Sequence, residues 1–138
     1  GILSNTIGSN GSYKDLLTVN TDPEYIEMKG NDVFKIAVNT MGKLAVSTLK
    51  ENNMNIDQVD WLIPHQANSR IINAIAKKIS LPNDKVIMTV DKHGNTSAAS
   101  IPLALDDANK RGVLRSNHII MFEAFGAGFT WGSTLLKF

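Results

Sequence analysis

An imidazole and a carboxamide stand in two short strings of similar build, Pro64-His65-Gln66-Ala67-Asn68 and His93-Gly94-Asn95-Thr96-Ser97-Ala98-Ala99-Ser100. Each string follows a run of apolar β-formers and precedes a helical pattern, so each falls where a strand hands over to a helix. Ligands of open α/β sheets bind in the crevice outside the carboxyl ends of parallel strands, and this placement brings His65 and Asn95 to one edge. Both side chains can donate a hydrogen bond to one carbonyl oxygen, the arrangement that stabilises charge developing on an oxyanion. Taken singly, His65 is as well explained as a structural histidine satisfied by backbone groups, and Asn95 as a turn residue tolerating a left-handed backbone. The repetition at one topological position is what points to a site. A thiolate nucleophile would have to come from elsewhere, because the 138 residues contain no cysteine.

Gly126-Ala127-Gly128 ends a third apolar run and reads as a hairpin turn. Beside the other two loops it can also offer a backbone N–H to the same oxyanion. A metal site built from His65, His93, His118 and Asp91 is disfavoured: no pair has the i, i+4 spacing of a helical chelate, and His118 starts its strand at the far end of the sheet. Glu123 and Asp91 form a carboxylate pair on spacing alone, with nothing else in support. Arg70, Lys77 and Lys78 project from the helix after His65, and Lys35 opens an earlier one. They are either a solvated face complementing a helix dipole or a landing place for an acidic partner.

The elements that position these loops follow from periodicity. Residues 1–7 are β-permissive without an evident partner, Gly8 to Ser12 is turn-like, and Pro23 argues against regular structure between Asn20 and Lys29. A helix capped by Asn31 or Asp32 buries Phe34, Ala37, Val38, Met41, Leu44, Ala45 and Leu49 on one face. Val59 to Pro64 reads as a strand buried on both faces. A helix capped by Asn68 or Ser69 carries Ile71, Ile72, Ile75, Ala76 and Ile79, and Lys85 to Val90 reads as a second strand. The third helix starts near Ser97–Ser100, with Pro102 in its first turn, and ends at Gly112. His118 to Ala124 and Phe129 to Phe138 are strands, the last running back antiparallel. The alternation predicts an α/β fold with a mostly parallel sheet and helices on both faces.

Composition bounds the class. With 43% hydrophobic and 20% charged residues the chain supports one globular domain with a core. No apolar run approaches the roughly 18 residues of a membrane span, and no secretory leader opens the chain, which predicts a soluble cytoplasmic protein that binds no membrane. A net charge of +1 lacks the basic excess of a nucleic-acid binder. The opening Gly1-Ile2, without an initiator Met, suggests a fragment.

At these residues the chain resembles the C-terminal half of the β-ketoacyl-acyl carrier protein synthase III family, bacterial condensing enzymes of the thiolase superfamily. The resemblance rests on Trp61 to Asn68, on His93 to Pro102, on Glu123-Ala124-Phe125-Gly126-Ala127-Gly128-Phe129-Thr130-Trp131-Gly132, and on Gly30-Asn31-Asp32-Val33-Phe34-Lys35, in the family's order. It implies a thiolase-like half-domain over residues 31–138, a connecting segment over 18–30, and a remnant of the N-terminal half in 1–17. It implies His65 and Asn95 as two members of a Cys-His-Asn triad whose cysteine lies in that other half, and Ala127 as the oxyanion amide. Gln66, Ala67, Asn68, Ser69 and Arg70 match the carrier-protein-binding stretch, to which Lys35 is added as a basic neighbour, and Gly30, Phe34 and Asn68 match the pantetheine-binding positions. The implied reaction, initiating type II fatty acid synthesis, joins a starter acyl-CoA, acetyl-CoA by expectation, to malonyl-acyl carrier protein with loss of CO₂. It uses no metal or cofactor, coenzyme A entering only as a thioester substrate, and the full-length protein is a homodimer. A non-catalytic dimerisation or carrier-docking half-domain, or a related polyketide-type or hydroxymethylglutaryl-type condensing enzyme, are the alternatives.

Overall fold

The computed structural model describes residues 1–22 and 24–138. Pro23, expected to interrupt regular structure, lies outside them. Four strands form the main sheet: β1 (Ile2–Ser9), β4 (Trp61–Pro64), β5 (Ile119–Gly126) and β6 (Thr130–Lys137), in the order β1-β6-β5-β4. β4 and β5 are parallel, while β5–β6 and β6–β1 are antiparallel. The last strand returns antiparallel as predicted. The partner missing from the sequence reading of the first strand is thus the last one.

A small separate hairpin pairs β2 (Leu17–Val19) with β3 (Ile26–Met28), and β3 lies in the stretch from Asn20 to Lys29 in which no regular structure was expected. Helix α1 (Gly30–Glu51) follows, and its N-cap is Lys29, without a side-chain bond. Asn31 and Asp32, the expected caps, instead lie in its first turn, where Asp32 complements the helix dipole. Helix α2 (Ser69–Lys78) is capped by Asn68, whose side-chain oxygen accepts from the Ile71 N–H at 2.9 Å. A short helix α3 (Val90–His93) and helix α4 (Ser100–Lys110) complete the set, with Pro102 in the first turn of α4 and Gly112 just past its end at φ 69°.

Both faces of the sheet are covered. On one, Met41, Leu44 and Leu49 of α1 and Ile75 of α2 pack with Leu62, Met121 and Leu135. On the other, Ala104 and Ala108 of α4 meet Ile63, Ile87 and Ile120. Each isoleucine or leucine fully buried here contributes about 1.5–3 kcal/mol. The small alanines of α4 let that helix sit close enough for its first turn to reach the end of β4.

Lys85 to Val90 is not the strand that its β-formers predicted. Only Val86 makes a parallel bridge, to Leu62, and Ile87 N–H donates to the Leu62 carbonyl at 2.9 Å. One rung later a side chain replaces the backbone. Gln66 donates its amide N–H to the Ile87 carbonyl at 3.2 Å and accepts from the Thr89 N–H at 2.8 Å. A primary amide carries one donor edge and one acceptor edge, as a peptide unit does, so the Gln66 side chain continues the ladder past the end of β4 while its backbone turns toward α2.

Candidate active site

An open groove of about 1760 Å³ runs between the start of α1, the start of α2 and the β5–β6 end of the sheet. His65 and Asn95 both line it, as expected, although Asn95 follows the short helix α3 and not a strand. His65 follows β4 directly. Its backbone N–H donates to the Glu123 carbonyl at 2.7 Å, extending the β4–β5 ladder by one residue, and its Nδ1 lies 2.7 Å from the Ser100 Oγ. Half-burial holds the His65 pKa below its ordinary value of 6.5, because a desolvated imidazolium loses more hydration than a neutral ring. At neutral pH the ring is therefore uncharged.

Asn95 is delivered by Gly94, whose φ of 68° and ψ of −165° a residue with a Cβ adopts only under strain. The Asn95 Oδ1 accepts from the Ser97 N–H at 3.2 Å, which leaves the amide nitrogen as the outward donor. Gly126 and Thr130 line the groove on either side of the β5–β6 turn. Ala127, between them, is exposed, and its N–H has no partner among the described residues.

Other expected positions divide. Ala67, Asn68, Ser69 and Arg70 line the groove, as do Gly30 and Phe34, and the Arg70 guanidinium carbon lies 6.0 Å from the centre of the Phe34 ring. The Asn68 oxygen is held by its capping bond, so the amide nitrogen is the group it offers to a ligand. Lys35 is exposed on α1 outside the groove lining. Gln66 is a correction: it is 0% exposed, and its amide also donates to the Pro64 carbonyl at 2.8 Å, so this side chain supports the loop from within and presents nothing to a docking partner. Lys77 and Lys78 lie outside the groove too; the Lys78 stem crosses Gly42 of α1, where a Cβ would come within 2.6 Å of it.

The remaining candidates do not converge. His118 is structural, its Nδ1 accepting from the Trp61 Nε1–H at 3.0 Å and from the Arg115 N–H at 3.2 Å. His93 and Asp91 are exposed and outside the groove, so Asp91 forms no pair with Glu123. No cluster of three or more metal-ligating side chains occurs among the described residues. Glu123 is 1% exposed, both its carboxylate oxygens lack partners, and burial pushes its pKa well above the ordinary carboxylate value. It contributes a buried carboxyl to the inner wall. Two residues that carry the site, Ser100 and the buried Gln66, were not singled out for these roles in the sequence reading.

Residues 49–138 match the family described as 3-Oxoacyl-[acyl-carrier-protein (ACP)] synthase III C terminal. The chain belongs to that family. It is 52% identical over 149 aligned residues to a beta-ketoacyl-[acyl-carrier-protein] synthase III of Thioalkalivibrio sulfidiphilus and 50% identical over 144 to one of Vibrio cholerae. All of this chain is covered in each comparison, and the chain spans 46% of the length of these curated relatives. A crystal structure of 3-oxoacyl-[acyl-carrier-protein] synthase III from Aquifex aeolicus superposes with a TM-score of 0.95 at 42% identity, covering 99% of this chain and 44% of that one. The synthase III from Pseudomonas aeruginosa superposes equally well, with a TM-score of 0.95 at 37% identity. The thiolase-like half-domain expected from the motifs is therefore the observed fold, and the chain corresponds to the C-terminal half of its relatives. Among the described residues no helix is long and apolar enough to cross a membrane.

Proposed function

We propose that this chain is the half of a synthase III that holds the malonyl-derived oxyanion during decarboxylative Claisen condensation. The observation that carries this reading is the convergence of a neutral, half-buried His65 and the outward-facing Asn95 amide on one groove. In the reaction a cysteine from the N-terminal half is first acylated by a starter acyl-CoA. Malonyl-acyl carrier protein then loses CO₂, and the electron pair released from the breaking C–C bond forms an enolate. His65 Nε2–H and the Asn95 amide N–H donate to the enolate oxygen while its carbon attacks the acyl thioester and the cysteine thiolate leaves. Ala127 N–H takes the acyl oxyanion. A charged imidazolium would give up its proton to the enolate, whereas the neutral ring stabilises it without quenching it.

Gly30, Phe34 and Asn68 would line the passage of the pantetheine arm, and Arg70, with Lys35 further out, would meet the acidic carrier protein. Ala67 and Ser69 supply the surface around that mouth. The reading includes a cytoplasmic, homodimeric full-length enzyme that needs no cofactor beyond its coenzyme A thioester. Residues 1–17 and 18–30 would be the end of the first half and the connection to the second.

The test separates the half-reactions in the full-length protein. His65→Ala and Asn95→Ala should each lower malonyl decarboxylation and condensation by about 10²–10³-fold, the scale for one lost oxyanion donor. Cysteine acylation by acetyl-CoA should persist. A variant that acylates poorly yet decarboxylates normally would overturn the assignment. Residues 1–138 alone, without a cysteine, should show no condensation.

A further inference from the structure

We infer that Ser100 is the positioning residue that sets the tautomer of His65, keeping the ring proton on Nε2 where a substrate oxygen would meet it. This deepens the proposed function and rests on it for its catalytic meaning. The structural argument stands on three groups. Ser100 Oγ lies 2.7 Å from His65 Nδ1, the Gln66 backbone N–H points at the same oxygen from 3.3 Å, and Ser100 is 1% exposed.

A hydroxyl has one proton and two lone pairs. The Gln66 N–H takes one lone pair. If Nδ1 carried the ring proton it would take the other, and the hydroxyl proton would have no acceptor, since the Ser100 side chain makes no further hydrogen bond among the described residues. If Ser100 instead donates to Nδ1, all three groups are satisfied and the ring proton stands on Nε2. Buried polar groups are hydrogen-bonded in folded proteins, so the second arrangement prevails.

The Gln66 N–H cannot swing away to relax this choice. It is held between the His65 N–H on the Glu123 carbonyl and the Gln66 side chain, which is bonded to Pro64, Ile87 and Thr89. Ser100 is the first residue of α4, so this bond also joins the loop that carries His65 to the one that carries Asn95. Positive charge on His65 would orphan the same hydroxyl proton, because an imidazolium donates from both nitrogens.

The experiment reads the ring directly. In the full-length protein labelled with ¹⁵N-histidine, above the titration of His65, long-range ¹H–¹⁵N spectra report the tautomer, with His65→Phe assigning the signal. The Nε2–H form is expected in roughly tenfold excess or more, the population ratio implied by leaving a buried hydroxyl proton unsatisfied in the other form. Ser100→Ala should reduce that ratio several-fold, and Ser100→Thr, which restores the hydroxyl, should recover it. A wild-type ring protonated on Nδ1, or a ratio unmoved by Ser100→Ala, would overturn the inference. Should Ser100→Ala fail to fold, the wild-type spectrum alone decides between the two arrangements. Because no turnover is measured, a failed condensation assay would sink the proposed function and leave this result standing.

Discussion

His65 and Asn95 face one groove, the first directly after a strand and the second after a short helix, and the protein holds them in opposite ways. The histidine is embedded: its ring is half-buried and bonded to Ser100, its backbone extends the β4–β5 ladder, and the next residue is locked into the interior by three amide bonds. The asparagine is exposed and held by one Asx-type bond to Ser97 behind a glycine of positive φ. Titration accounts for the difference. An imidazole can take two tautomers and a third, charged state, so its surroundings must select one; a carboxamide has a single protonation state and needs only to be aimed.

The sharpest way to break this contrast is to cut the embedding. Gln66→Leu removes the amide that satisfies Pro64 O, Ile87 O and Thr89 N, and should destabilise the chain by about 3–5 kcal/mol in urea unfolding, since several buried polar groups lose partners at once. Asn95→Ala should move the same transition by less than about 1 kcal/mol. Comparable losses from both substitutions would mean that the two loops are supported alike.

Titration sharpens the contrast at a smaller scale. The His65 midpoint followed by NMR should lie below 6.5, and its contribution to stability is then complete above that value and lost as the pH falls through it toward the lowered midpoint. Glu123 has the opposite sign. Its raised pKa contributes stability below about 4.5, its unfolded value, and that contribution is lost as the pH rises through the folded value. Glu123→Gln, which is neutral throughout, should raise Tm at pH 8 and leave Tm at pH 4 nearly unchanged. An unaltered pH profile would show that the carboxyl finds a partner in solution.

The smallest effect is expected at the rim. Arg70→Glu in the full-length enzyme should raise KM for malonyl-acyl carrier protein several-fold with little change for acetyl-CoA, and added salt should shrink the difference. Equal losses toward both substrates would move Arg70 from carrier docking to the coenzyme A phosphates.

Much of this arrangement was legible in the sequence, and the exceptions share a cause. The face of α1, the Asn68 cap, the start of α4 and the β5–β6 turn follow from local periodicity and capping chemistry, which adjacent residues encode. The partner of β1 is more than a hundred residues away, and no local pattern announces it. Lys85 to Val90 has strand composition because Val86 and Ile87 are buried against Leu62, but the next ladder position is filled by a glutamine side chain, which a propensity scan reads as surface. The same blindness placed Gln66 among docking residues and left Ser100 as one more small residue in a helix start. His65 and Asn95 were found because their types and setting recur. The groups that orient them act through tertiary contacts, and sequence spacing carries no trace of those.

The pairing of β1 with β6 also orders events in time. Ile2 to Ser9 are synthesised more than a hundred residues before Thr130 to Lys137, with Ile2 opposite Leu136. The outer rung of the sheet therefore cannot close during synthesis of the intervening helices, and its long loop closure places it among the slow, topology-limited steps of folding. Until Thr130 to Lys137 have been made, the β1 segment, with Ile2 and Ile7, lacks its antiparallel partner. Such a strand is a ready template for pairing with another chain. For β1, the interval between synthesis of its own residues and those of β6 is the period of greatest hazard.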